Sequence, residues 1–178
     1  DASVTNGNGT SNGEHDGNGT LTNGTTLTPT YTADAADAGT IVTLTLIAEG
    51  NSDCVDDSSD MEITVVNDVV ADAGSDATIC ETSSYTVNDA SVTNGNGTYN
   101  WEHDGNGTLT NGTTLTPTYT ADAADAGTIV TLTLIAEGNS DCVDDSSDME
   151  ITVVNDVVAD AGSDATICET SAYTVNDA

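Results

Sequence analysis

Residues 128–136 read Thr-Ile-Val-Thr-Leu-Thr-Leu-Ile-Ala, so Val130, Leu132, Leu134 and Ala136 fall on one side of an extended chain and Thr131 and Thr133 on the other. Side chains alternate across a strand, and a period of two therefore predicts a strand with one buried face. Met149, Ile151 and Val153 repeat the pattern further on. The same reading places strands near 69–73, 77–87 (broken at Glu81-Thr82-Ser83), 98–103, 107–110, 114–120, 128–137 and 147–154. The links between them, Thr93-Asn94-Gly95-Asn96-Gly97, Asp104-Gly105-Asn106-Gly107 and Asn111-Gly112, are rich in Asn-Gly and Asp-Gly pairs. Such pairs supply the positive φ of tight turns. Residues 121–127 predict one helical turn. No segment follows a 3.6-residue period, and none is long and apolar enough to span a membrane. The expectation is an all-β chain.

The pattern occurs twice. Residues 1–88 and 89–176 align without a gap and differ only at Ser11/Tyr99, Gly13/Trp101 and Ser84/Ala172, so 85 of 88 positions are identical. A fixed period of this kind is the mark of a tandem array, in which module number and spacing matter more than one unique pocket. Val154-Asn155-Asp156-Val157 reads as strand, two-residue junction, strand. The module boundary therefore falls at Asn155-Asp156 and, equivalently, at Asn67-Asp68. Residues 1–67 form a repeat lacking its first strands, 68–155 a complete repeat, and 156–178 the first strands of another.

Charge narrows the function. The chain has 31 acidic residues, no Lys and no Arg, for a formal net charge of −31. Phosphate contacts need Lys or Arg, so no nucleic acid is expected as partner. The same lack excludes a basic patch on anionic lipid, and no direct membrane insertion is expected. High net charge is one half of the signature of disorder. Here, however, 36% of residues are hydrophobic and sit in strand-like runs, so a folded chain is expected.

Seven short strands, turn signals about every ten residues and a single Trp on the third strand predict an immunoglobulin-like sandwich. Its core would contain Trp101, Val130, Leu132, Leu134, Ile151 and Val153. Ala73-Gly74-Ser75-Asp76-Ala77-Thr78-Ile79-Cys80-Glu81 resembles the opening of PKD-like, Ig-like repeats. So do Asn100-Trp101, then Leu115-Thr116-Pro117-Thr118-Tyr119-Thr120 with Ala123-Ala124-Asp125, and Val130-Thr131-Leu132-Thr133-Leu134. The resemblance covers the whole 88-residue unit. Such repeats recur in giant type IX-secreted surface proteins of Bacteroidetes, including gliding-motility adhesins. The resemblance implies an extracellular, cell-surface spacer or adhesive array. Gly13 departs from it, standing where Trp101 would fill the core.

An exported protein favours oxidised cysteines, and Cys80 and Cys142 are the two inside the complete repeat, 62 residues apart. Their disulfide would contribute about 4 kcal/mol in the chain-entropy picture. Cys54 and Cys168 remain. Glu102-His103-Asp104-Gly105-Asn106-Gly107-Thr108-Leu109 resembles the start of a calcium loop, but its twelfth position is Thr113, and a Gly-rich hairpin turn is the expectation. Asp141, Asp144, Asp145 and Asp148 form a denser acidic loop, and Asp156, Asp160 and Asp164 straddle the junction. These could bind Ca²⁺ through oxygen ligands and stiffen the array; a solvated acidic surface is the alternative. Asn-Gly-Thr triplets at Asn8, Asn18, Asn23, Asn96, Asn106 and Asn111 match a glycosylation acceptor pattern, which in a bacterial protein is accidental. His103 reads as a surface histidine, and no catalytic motif occurs, so an enzyme is the last of three classes. The first is a structural segment of an extracellular adhesin, stalk or filament. Its parallel chains would form a homo-oligomer and attach to a cell-surface receptor or glycan. The second is a repeated Ca²⁺- or glycan-binding module, with Tyr99, Tyr119 and Trp101 as its candidate aromatics.

Overall fold

The computed structural model describes residues 2–139 and 142–175. The chain is all-β: among the described residues there are fourteen strands in five small sheets, two 3₁₀ turns and no α-helix. Among the described residues, no helix is long and apolar enough to cross a membrane. The chain divides into two compact units. One is Asp1–Ala71 with Val92–Tyr99 and Ile135–Ser146; the other is Asp72–Ser91 with Asn100–Leu134 and Ser147–Ala178.

The first unit holds β1 (Ser11–His15), β2 (Thr20–Thr22), β3 (Thr30–Thr32), β4 (Ile41–Ala48) and β5 (Asp57–Thr64). One sheet runs β1-β4-β5, antiparallel, with Gly13 opposite Leu46 and Leu44 opposite Met61. β2 and β3 form a second, two-stranded sheet with Leu21 opposite Tyr31. Val42 is buried in this unit, Leu44 and Leu46 are half-buried, and Met61 is 57% exposed.

Next along the chain come β6 (Val70–Asp72), β7 (Ala77–Cys80), β8 (Ser84–Thr86), β9 (Ser91–Thr93), β10 (Tyr99–His103), β11 (Thr108–Thr110), β12 (Thr118–Thr120), β13 (Ile129–Ala136) and β14 (Asp145–Val154). A four-stranded sheet runs β10-β13-β14-β7, a three-stranded one β11-β12-β8, and β6 pairs with β9. β7 joins β14 in parallel, from Ala77 opposite Ile151 to Cys80 opposite Val154. Trp101, Val130, Leu132, Leu134, Met149, Ile151 and Val153 of the larger sheet are buried with Tyr119, Val87 and Pro117. This is the alternation of β13 and β14 made physical: one face of each strand in the core, the other mostly half-buried on β13 and mostly exposed on β14. Among the described residues, every strand pairing joins strands within 1–67 or within 68–155.

Three expectations shift. The region 69–154 contains nine strands, not seven. The expected strand 77–87 is two, because Thr82 takes φ +59° and the Ser83 N–H returns to the Cys80 carbonyl at 3.2 Å. That turn moves the chain from the four-stranded sheet to the three-stranded one. β9 is the other addition. The strand expected at 114–120 shrinks to β12, since Thr114 closes a turn on Asn111 and Pro117 has no N–H to give a ladder. The glycine-rich turn after β10 is not a hairpin: it carries the chain to β11, in the other sheet.

Candidate functional site

Among the described residues, each repeat buries one carboxylate in a 3₁₀ turn. In the complete repeat it is Asp125, at the end of Ala123–Asp125 and 1% exposed. Asp122 precedes the turn in extended conformation, and its carboxylate accepts the Ala124 N–H at 2.9 Å. Asp125 reaches back to accept the Asp122 N–H at 3.0 Å, which completes a capping box. Two further residues converge on it. The Asn106 backbone N–H and side-chain amide donate to Oδ1 at 2.7 and 2.9 Å, and the Tyr119 hydroxyl donates to Oδ2 at 2.7 Å. The Tyr119 oxygen in turn accepts the Gly107 N–H at 3.0 Å. Gly105 and Gly107 are required by this approach, because a Cβ on either would collide with Tyr119. Asp37 repeats the arrangement with Asn18, Gly19, Tyr31 and Asp34.

Burial by itself would raise the Asp125 pKa. The hydrogen bonds from Asn106, Tyr119 and Asp122 outweigh it and hold the carboxyl well below its usual range. Burial, and then the bond to Asp125, push the Tyr119 phenol up to about 12. At neutral pH the carboxylate is therefore ionised and fully engaged, and the phenol is protonated. The arrangement ties a crossing loop, a strand and a turn together. Sequence reasoning missed it: Tyr119 was a candidate binding aromatic and is instead fully buried. The available signal was the Asp-x-x-Asp spacing of Asp122 and Asp125, three and six residues after Tyr119. His103 is not a free surface imidazole either; its ring packs on Tyr119 at 5.2 Å between centroids, and its Nδ1 is buried without a partner.

The acidic residues considered for Ca²⁺ are spread over separate structural tasks. Asp144 accepts the Gly138 N–H at 3.0 Å, Asp145 the Ala71 N–H at 2.9 Å, and Asp148 the Thr133 hydroxyl at 2.6 Å. Asp160 accepts the Gly162 N–H at 2.9 Å, while Asp156 and Asp164 are exposed. Asp141 lies outside the described residues. Among the described residues, no three His, Cys, Asp or Glu side chains are grouped to hold a metal ion.

The Cys80–Cys142 disulfide is corrected by strand order. All four cysteines, Cys54, Cys80, Cys142 and Cys168, are free. Cys80 is in register with Val154, the last residue of β14, and Cys142 precedes Asp145, the first. A ten-residue strand runs about 30 Å, and three residues return at most about 11 Å of it. A disulfide needs Cα atoms about 4.4–6.8 Å apart. The Cys142 sulfur lies 3.9 Å from the Asn67 carbonyl instead.

No family model matches the chain, and no curated protein matches it in sequence. Among solved structures it is similar to the endo-fucoidan hydrolase MfFcnA4 of glycoside hydrolase family 107, at 14% identity and a TM-score of 0.35, over 83% of this chain and 24% of that one. It is also similar to the endo-fucoidan hydrolase MfFcnA9 of the same family, at 16% identity and a TM-score of 0.30, over 81% of this chain and 28% of that one. The chain spans about a quarter of each enzyme's length. Likeness at that level assigns neither a family nor an activity.

Proposed function

We propose that the chain is a structural repeat segment of a long extracellular adhesin, stalk or filament that mediates cell-surface attachment. In this proposal each 88-residue unit is an immunoglobulin-like, PKD-like sandwich, and parallel chains run side by side. One observation carries it: 85 of 88 positions are identical between the two copies. Identity at that level keeps every module interchangeable, which suits a spacer whose reach is set by module number. The buried polar groups agree with such a role. Asp125, Tyr119 and Asn106 are consumed in holding the module together. A surface of one charge sign keeps neighbouring arrays soluble, and saline surroundings screen their repulsion.

Arrays of increasing repeat number, imaged by electron microscopy, test the spacer role. Length is expected to grow linearly, by about 3 nm or slightly more per repeat, the span of a ten-residue strand such as β14. Arrays that collapse into particles of unchanging length would overturn it. An antibody against residues 68–155 is expected to label intact, unpermeabilised cells of the source organism; labelling only after permeabilisation would remove the extracellular role.

A further inference from the structure

Residues 1–88 and 89–176 differ at three positions, and two of the three share one strand face. Ser11 and Gly13 stand two apart on β1 where Tyr99 and Trp101 stand on β10. Each exchange trades an aromatic ring for a small residue. Both positions lie inside the copies, so the difference holds whatever flanks them.

In the complete repeat Trp101 is 3% exposed, and its Nε1 donates to the Thr114 carbonyl at 3.0 Å. The turn between β11 and β12 sets that carbonyl. Asn111 takes φ +56°, the Thr114 N–H returns to the Asn111 carbonyl at 3.0 Å, and the Thr116 N–H meets Thr114 Oγ1 at 3.2 Å. The Trp101 N–H ties β10 to the same turn through the Gly112 carbonyl at 2.8 Å.

The first copy keeps this frame without the indole. Asn23 takes φ +55°, the Thr26 N–H returns to the Asn23 carbonyl at 2.9 Å, and the Thr28 N–H meets Thr26 Oγ1 at 3.2 Å. The Gly13 N–H meets the Gly24 carbonyl at 2.6 Å. Leu21 keeps its place against the turn: its Cδ2 would lie 3.5 Å from a Cβ added at Gly24, as that of Leu109 would from one at Gly112. Space is left where the ring would be. Gly13, Leu21, Pro29, Leu44, Leu46 and Met61 are among the residues lining a cavity of about 280 Å³. Among the described residues, no donor takes the place of the indole N–H at the Thr26 carbonyl.

We propose that this cavity is a binding site for a small, uncharged, planar aromatic molecule of the size of indole, whose N–H donates to the Thr26 carbonyl. The occupant follows from the sister repeat, which seats an indole ring on the same frame. An apolar cavity of about 150 Å³ is enough for benzene, and one of about 280 Å³ has room for a two-ring molecule. Contact with the Leu and Pro side chains supplies affinity, and the single polar contact supplies orientation. A chain with 31 acids and no Lys or Arg disfavours an anionic ligand. This site is independent of the spacer role.

Indole is the probe. Nuclear magnetic resonance of the 178-residue chain, with ¹³C-labelled Leu methyl groups, follows the titration. The Leu21, Leu44 and Leu46 signals are expected to shift saturably, half-saturating at roughly 0.1–1 mM, while those of Leu109, Leu132 and Leu134 stay in place. Gly13→Trp supplies the ring from the chain itself, and the complete repeat shows that the frame accepts it. Affinity for indole should fall at least about tenfold in this variant. N-methylindole has a methyl group in place of the donor and should bind about three- to tenfold more weakly than indole. Absence of a saturable shift in the unmodified chain overturns the proposal. So does indole binding that survives Gly13→Trp, which places the ligand elsewhere, or equal binding of N-methylindole, which leaves the Thr26 carbonyl without a role.

Discussion

Asp125→Ala removes the acceptor at the centre of the complete repeat. Four donors lose it: the Asn106 N–H and side-chain amide, the Tyr119 hydroxyl and the Asp122 N–H. Asn106 is exposed, and its amide can turn to water. Tyr119 cannot, being fully buried. A buried donor left without a partner costs about 1–3 kcal/mol, and bonds to a charged group sit at the upper end. Against this, the variant no longer buries a carboxylate. Counting the phenol in full and the two backbone donors in part, the expected loss is about 3 kcal/mol. For a unit of this size that lowers the melting temperature by about 12–24 °C. Urea unfolding followed by circular dichroism reads it as a fall in midpoint at unchanged slope. Tyr119→Phe with Asp125→Ala completes a double-mutant cycle, and the double variant should lose clearly less than the sum of the two singles. Asp37→Ala should cost less than Asp125→Ala, because its partner Tyr31 is only half-buried. Additive losses in the cycle, or a loss under about 1 kcal/mol for Asp125→Ala, would refute the reasoning that this carboxylate holds the module together.

Acid should weaken the complete repeat through the same group. The Asp125 pKa is depressed by folding, so its stabilisation is complete above the ordinary value of 3.8 and fades as pH falls below it. Comparing wild type with Asp125→Ala across that range isolates the effect, and parallel curves would contradict it. In alkali the sign reverses. Folding raises the Tyr119 pKa, so its contribution is complete below the ordinary value of 10.0 and is lost between there and about 12; Tyr119→Phe should not show that step in an alkaline unfolding titration. Thr82 is β-branched and exposed at φ +59°. Thr82→Asn should therefore stabilise the repeat by about 1 kcal/mol in urea, and a loss would mean that the Thr side chain matters more than its backbone strain. Trp101→Ala empties a buried core position on β10 and removes the Nε1 donor to the Thr114 carbonyl at 3.0 Å. A cost of about 4 kcal/mol is expected in the same urea assay, and one near zero would mean that Trp101 is not packed as described.

Local alternation was enough to place β13 and β14 and to choose their buried faces, because the two sides of a strand differ whatever lies opposite. Asn-Gly and Asp-Gly pairs marked the turns for a similarly local reason, the ease with which they adopt positive φ. The 88-residue identity, needing no geometry at all, set out the repeats. Other features depend on which strands meet. Cys80 and Cys142 looked like a pair because they are alone in the module, but the parallel seating of β7 on β14 puts them at opposite ends of one strand. The strand signal at 77–87 was continuous in composition, yet Thr82 turns it between two sheets, a choice made by the surfaces those sheets present. Asp125 was one acid among 31, and apart from its spacing to Asp122 and Tyr119 nothing local separates it from its exposed neighbours. It becomes a buried anchor only when folding brings the loop at Asn106, the strand at Tyr119 and the turn at Asp122 to one point. Spacing along a chain records which side chains share a face; it carries no record of which distant donors will surround a charge.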